Sequence, residues 1–352
     1  MPLHPRLPAT RFPHLAEPSF DRLCAKLSEL TAQLEQPGVW PREQLSLLGE
    51  AGVAGWVIPQ EFGGAAIPSA ELTVGYERLA ASCLMTAFVL TQRNGACQRL
   101  AVSTNDSLKH EFLPPLCRGE LFATVGISHL TTSRQHVRTP AVQLEQDGDA
   151  ILLQGSIPWV TGAPHADFIL TGGTFTDGRQ ALLFLPVSER GVTVEEPPTL
   201  LAMNASQTAS VRLQDVRLSQ RFLVAGPVKQ VMQTGQIGGT GSLTTSALAI
   251  GAAAASIERM MAEAEKRPEL EESCSALASD WSRLYRDLTE AAIHPDDAAA
   301  RGVNSESIRR RANSLVLRAA QASLAASKGA GFVSGHPAER AVREAMFFLV
   351  WS

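Results

Sequence analysis

Apolar positions recur at helical spacing through the first third of the chain. Phe20, Leu23, Leu27, Leu30 and Leu34 fall on one face of a helix over residues 18–36, and a second helical stretch begins at Pro41. The Gly/Pro-rich runs Gly55-Trp56-Val57-Ile58-Pro59 and Phe62-Gly63-Gly64 interrupt it, because such residues punctuate rather than propagate helices. The helical pattern resumes over 69–90, where Ser69 is expected to cap the start, and continues as two shorter helices within 94–117. Near Leu121 the period changes. Short apolar runs such as 150–153, 167–170, 181–185, 191–194 and 211–213 alternate with Gly, Asp and Pro at intervals that suit an antiparallel sheet. Beyond Gly226 long helical stretches return at 247–266, 277–292 and 308–328. The Ala-rich run from Ala247 to Ala255 has little polar surface on any face, so it should be deeply buried or sit at an interface.

The expected fold is therefore α+β. A helical domain over 1–120 precedes a central antiparallel, barrel-like β domain over 121–225, and a C-terminal four-helix bundle fills 226–352. Composition narrows the class without naming a function. The 352 residues are 45% hydrophobic and 19% charged, with a net charge of -4, an ordinary globular balance. Mild acidity argues against a nucleic-acid surface, which needs clustered Lys and Arg. The one basic cluster, Arg309 to Arg311, reads as the solvated face of a helix. Five scattered cysteines without CxxC spacing read as free thiols of a reducing, cytoplasmic setting, with no metal site. The N-terminus lacks the apolar core of a signal peptide, and no stretch is long and apolar enough to span a membrane; the terminal MFFLVWS is too short.

Five segments, in order, resemble those of the acyl-CoA dehydrogenase superfamily. Gly55 to Gly64 (GWVIPQEFGG) is similar to its G-x-x-x-P-E-E-Y-G-G turn, and His110 to Glu120 (HEFLPPLCRGE) to its K-x-x-L-P-x-L-x-x-G-E helix end. Gly155 to Asp167 (GSIPWVTGAPHAD) is similar to its G-x-K-x-W-I-T-N-x-x-x-A-D hairpin. Leu201 to Val216 (LAMNASQTASVRLQDV) and Gly329 to Arg343 (GAGFVSGHPAERAVR) complete the set. The resemblance covers nearly the whole chain. It implies a flavin, FAD or its shorter relative FMN, between the β domain and the bundle, an acyl-CoA or other acyl thioester substrate, and a homo-oligomer or a hetero-oligomer with a related subunit.

The resemblance also implies site residues. Trp159 and Thr161 match the family's W-x-T, in which the indole lies against the flavin ring and the Thr region hydrogen-bonds its central nitrogen; a flat apolar wall excludes water and a polar donor tunes electron affinity. Gly126 to Ser133 (GISHLTTS) stands where the family has T-E-P-x-A-G-S-D, which places Ser128, Thr132 and Ser133 at the flavin pyrimidine. His129 stands in the same loop; a loop histidine is more often structural than catalytic. Arg267 matches the Arg that contacts FAD phosphate across the subunit interface, and Gly329 belongs to the G-G turn on the adenosine side.

The departures concern anchoring and the base. Pro268 and Leu270-Glu271 replace the F-G after the family's Arg, Ala325 stands for its Gln, and Asn204 for the Arg of L-G-x-R. The family's E-G-T stretch and its last helix would lie beyond Ser352. Family dehydrogenases remove a weakly acidic α-proton with a Glu. Counted from Arg343-Glu344-Ala345, that Glu falls on Ser352; the alternative position on the first long helix falls on Gly241. Neither residue is a base. Three readings stay open: a flavin-dependent oxidoreductase with a non-standard base, a flavin monooxygenase, and a non-catalytic or half-site subunit of a hetero-oligomer.

Overall fold

The computed structural model describes residues 3–5, 7–131, 139–234 and 243–351. The N-terminal helices are α1 (Pro18–Leu30), α2 (Arg42–Glu50), α3 (Ser69–Ser82), α4 (Leu84–Ala101) and α5 (Asp106–Cys117). Two expectations shift here. The pattern over 69–90 is broken at Cys83, whose extended backbone separates α3 from α4, and α4 runs on to Ala101. Ser69 does not cap α3; Pro68 holds the cap position, with no side-chain bond.

The strands are β1 (Ala123–Gly126), β2 (Val142–Asp147), β3 (Ala150–Val160), β4 (Phe168–Phe175), β5 (Gln180–Pro186), β6 (Val192–Val194), β7 (Ala209–Ser219) and β8 (Leu223–Val228). A one-turn helix, α6 (Ser128–Thr131), follows β1. The strands form one eight-stranded sheet in the order β6-β7-β3-β2-β4-β5-β8, with β1 also on β4. This corrects the barrel-like, wholly antiparallel expectation. The sheet is open, with β6 and β8 at unjoined edges, and β1 and β2 both run parallel to β4. Alternation in sequence fixes which face a residue takes, whereas edge closure and strand direction depend on distant partners.

The C-terminal helices are α7 (Leu243–Ala264), α8 (Glu271–Ile293), α9 (Pro295–Ala300), α10 (Ser305–Ala326), α11 (Lys328–Gly331) and α12 (Pro337–Phe347). The Ala-rich run lies in α7, packed between α3 and α10. Gly251 allows this approach: a Cβ there would lie 2.2 Å from the Glu77 carbonyl oxygen. The indole of Trp281 donates to Ile250 O at 3.1 Å and locks α8 onto the same helix.

Two apolar cores result. One joins the N-terminal helices to the C-terminal ones through Leu27, Trp56, Val74, Leu79, Ile250, Ile257, Trp281 and Leu315. The other lies under the sheet and contains Ile58, Phe112, Leu153, Ile157, Leu170, Phe184 and Val211. Helix α4 belongs to both: Phe88 and Leu90 enter the first, and Ala96, Cys97 and Leu100 the second. A helix apolar on all sides is a buried one, and α4 is the seam where a cleft opens. All five cysteines are free. No helix among the described residues is long and apolar enough to cross a membrane.

Candidate functional site

A cavity of about 580 Å³ lies between the sheet, α4 and α12. Trp159 forms its sheet-side wall. The register of β3 against β7 shifts between Ile157 and Val160. Such a bulge breaks the alternation of faces: Ile157 and Val160 both point into the lower core, while Trp159 turns outward and is 52% exposed. Thr161 follows and is buried. The next residue, Gly162, has φ +69°, and a Cβ there would lie 2.5 Å from the Trp40 ring. Its amide donates to Ser206 O at 2.8 Å, so the turn after Trp159 is fastened to the Asn204–Ser206 segment.

Hydroxyls cluster beside the indole. Thr161 Oγ1 lies 3.3 Å from Thr208 Oγ1, which lies 2.8 Å from Ser206 Oγ. Ser128, at the start of α6, also lines the cavity; its Oγ is buried and has no hydrogen-bond partner among the described residues. An unmet buried hydroxyl costs about 1–3 kcal/mol, and a polar ligand in the cleft relieves that cost.

The opposite wall is aromatic. Phe347 and Trp351 stack at 5.0 Å, and Phe88 meets both edge-on at 5.0 and 5.1 Å. Leu201, Met346 and Val350 add exposed apolar surface at the mouth. Gln92 and Arg343 bring the remaining polar groups. Arg343 is committed: Nη2 pairs with Glu35, Nε donates to Glu339, and Nη1 reaches Leu201 O at 3.5 Å. The hydrogen bond from Arg343 holds the Glu339 carboxyl below its ordinary range, and the same bond raises Arg343. A carboxylate held in that way is a poor general base near neutrality. Among the described residues no Asp or Glu lines the cleft.

Glu344, adjacent in sequence to Arg343, lines a different cavity together with Arg259 and Arg340. Burial pushes its carboxyl up to about 7, against the pull of Arg340, whose Nε lies 4.0 Å from its Oε1. A near-neutral carboxyl therefore exists in α12, but outside the cleft.

The structure thus brings Ser128, Trp159 and Thr161 together. Thr132, Ser133, Gly241 and Ser352 lie outside the described residues. Arg267 and Gly329 are elsewhere. Arg267 lines a separate groove with Glu263, Lys328 and His336, bonded to Glu263 at 2.7 Å and to Ala326 O. Gly329 is exposed in α11, and a Cβ there would meet nothing within 4 Å. Among the described residues no group of His, Cys, Asp and Glu could hold a metal. The sequence reading missed the α4 residues Phe88 and Gln92, the Ser206–Thr208 hydroxyls and the Phe347–Trp351 wall. Ser206 and Thr208 stand inside the LAMNASQTASVRLQDV motif, and the wall inside MFFLVWS.

Known proteins match this architecture. The family described as "Acyl-CoA dehydrogenase, N-terminal domain" matches residues 20–120. A probable acyl-CoA dehydrogenase of Bacillus subtilis is 23% identical over 333 residues, which cover 89% of this chain and 86% of that protein. The mitochondrial short-chain specific acyl-CoA dehydrogenase of Rattus norvegicus is 22% identical over 342 residues, covering 91% and 81%. The solved butyryl-CoA dehydrogenase of Megasphaera elsdenii has a TM-score of 0.83 and 16% identity, covering 99% of this chain and 95% of its own; at that identity it speaks for the fold.

Proposed function

Because this chain belongs to the acyl-CoA dehydrogenase superfamily, we propose that it is a flavin-dependent oxidoreductase acting on an acyl thioester or related carbonyl compound, with a non-standard active site. The observation that carries the reading is the cleft itself. A half-exposed indole, a buried hydroxyl at Thr161 and the unpartnered Ser128 hydroxyl fit a flat apolar ring with polar edges. Cofactor and ligand sites combine apolar walls with a few placed polar groups in the same way. When bound, a flavin supplies acceptance of two electrons from the substrate.

The chain's own residues do the rest. Trp159 would supply an apolar wall for the ring and exclude water. Thr161, backed by Thr208 and Ser206, would offer it a hydroxyl. Ser128 would offer it a second one. Phe88, Phe347 and Trp351 form an apolar surface for the hydrocarbon part of a substrate. The ion pair of Arg343 with Glu35 ties α12, and with it this aromatic wall, to the N-terminal segment, while the i,i+4 pair with Glu339 orients the guanidinium within α12. Proton abstraction is assigned to no described residue. Exposed Phe332, Val333, Leu349 and Val350 suit an assembly with a second copy or a related subunit.

The carboxylate-free lining favours one second reading, a half-site subunit whose partner supplies the base. Purification tests the main reading first. We expect yellow protein that releases FAD or FMN on denaturation; colourless protein that takes up neither would overturn it. Anaerobic mixing with short to long acyl-CoAs should perturb the flavin spectrum with little bleaching. Rapid bleaching of the oxidised band by the isolated chain would show an ordinary dehydrogenase with a base outside the described residues.

A further inference from the structure

Helix α4 carries two buried or partly buried arginines, six positions apart, in different circumstances. Arg93 is fully matched: Nη1 donates to Ala54 O at 2.7 Å and to Asn94 Oδ1 at 2.8 Å, and Nη2 donates to Leu116 O. That is how a structural buried arginine is satisfied. Arg99 is not matched. Its one hydrogen bond within the described structure is from Nη1 to Gly95 O, one turn back on its own helix, at 3.1 Å. Among the described residues it enters no ion pair. The stretches outside the description, 132–138 and 235–242, contain no Asp or Glu. Burial alone lowers the pKa of Arg99, with no opposing carboxylate.

The unmatched guanidinium lines a cavity of about 280 Å³ between the end of α4, β5, β8 and the Val231–Gln233 turn. Among the described residues no acidic side chain lines it. Two of its three hydroxyls are already engaged: Ser103 Oγ donates to Val224 O at 2.6 Å, and Thr234 Oγ1 to Val231 O at 2.6 Å; the third, of Thr104, is at the exposed rim. Leu182, Val224, Val231 and Met232 supply an apolar wall. A partly desolvated cation without a counter-charge gains from an anion, and the planar fork of a guanidinium matches a carboxylate bidentately.

We propose that this cavity is a binding site for one small monocarboxylate, held by Arg99 with its hydrocarbon end against Leu182, Val231 and Met232. A single unpaired cation calls for a single negative charge. The cavity volume of about 280 Å³ admits a short-chain acid. The site is separate from the cleft, although both lie along α4: Gln92 lines the cleft, and Arg99 follows seven residues later, about 10 Å along the helix axis on nearly the same face.

Calorimetric titration of the flavin-loaded protein with sodium butyrate tests the site. Butyrate should bind saturably, one per chain, and at least about tenfold more weakly in Arg99→Gln. Trp159→Ala, which alters the cleft, should leave butyrate binding unchanged, so failure of the flavin reading and failure of this one are distinguishable. Propylamine should not bind. If Arg99→Gln does not fold, Met232→Trp, which fills the cavity without touching the charge, should abolish butyrate binding. No saturable butyrate uptake at millimolar concentration, equal uptake by the folded variants, or uptake of phosphate in preference to butyrate would each overturn the proposal.

Discussion

The cleft at Trp159 and the groove at Arg267 are both sequence-expected parts of one cofactor site, and they differ in what they leave unmatched. In the cleft an indole is half exposed and a buried hydroxyl lacks a partner among the described residues. In the groove the guanidinium is engaged by Glu263 and by Ala326 O. The first region leaves apolar surface and a polar group unmet, and in the second the guanidinium is already matched within the protomer. A dinucleotide phosphate at Arg267 must compete with an ion pair already formed inside the protomer. The difference therefore favours binding through the ring and weakens the claim of the adenosine half.

Three substitutions press on the cleft side and on the competition in the groove. Gly162→Val carries the largest expected effect. Its φ of +69° disfavours a β-branched residue, and the new Cβ would drive into the Trp40 ring from 2.5 Å. We expect about 1–3 kcal/mol of lost stability, seen as a lower melting temperature, together with loss of flavin. A stable Gly162→Val protein with full flavin would show that the turn after Trp159 does not shape the cleft. Trp159→Ala comes next. Aromatic stacking on a planar ring is worth about 1–3 kcal/mol, so flavin should bind about tenfold or more weakly in equilibrium dialysis. Unchanged affinity and spectrum would remove Trp159 from the site. Glu263→Gln is smaller. An exposed ion pair is worth about 0–1 kcal/mol, so releasing Arg267 should tighten FAD by at most about fivefold and leave FMN unaffected. Equal changes for FAD and FMN would mean that Arg267 does not meet the adenosine-side phosphate.

The cleft was legible on one wall and hidden on the other, and chain distance explains the split. Trp159, Thr161 and the Ser206–Thr208 pair sit in two short motifs joined by strand pairing, so local spacing carries their geometry. The far wall depends on Phe88 meeting Phe347 and Trp351, and on Arg343 reaching Glu35, 308 residues away in sequence. No local pattern encodes such contacts. The same reasoning applies to the sheet. Alternation identified most of the strands, but β1 and β4 pair in parallel across a connection of some 40 residues, and the open edges at β6 and β8 follow from pairings that do not form. The barrel-like expectation went beyond the alternating runs and turn spacing, which do not set edge closure. The break at Cys83 was missed for a different reason: buried apolar residues recur at helical spacing on both sides of it, so the period continues across one residue of extended backbone.

The smallest expected effect is the most discriminating for the groove. Gly329 was expected to sit where a backbone must approach a cofactor closely, and there a side chain would be excluded. Among the described residues nothing crowds it: a Cβ would meet nothing within 4 Å, and its φ lies outside the left-handed region. It stands in the short helix α11, where Ala is favoured over Gly by up to about 1 kcal/mol. Gly329→Ala should therefore leave flavin content unchanged and raise the melting temperature slightly or not at all. That outcome would place the whole cofactor requirement on the Trp159 side of the comparison. The contrary outcome, an intact fold with flavin lost, cannot arise from crowding by the described residues, because the methyl group touches none of them. It would require a second chain or its cofactor to press against α11, and would restore the groove as the anchoring half of a site shared between subunits.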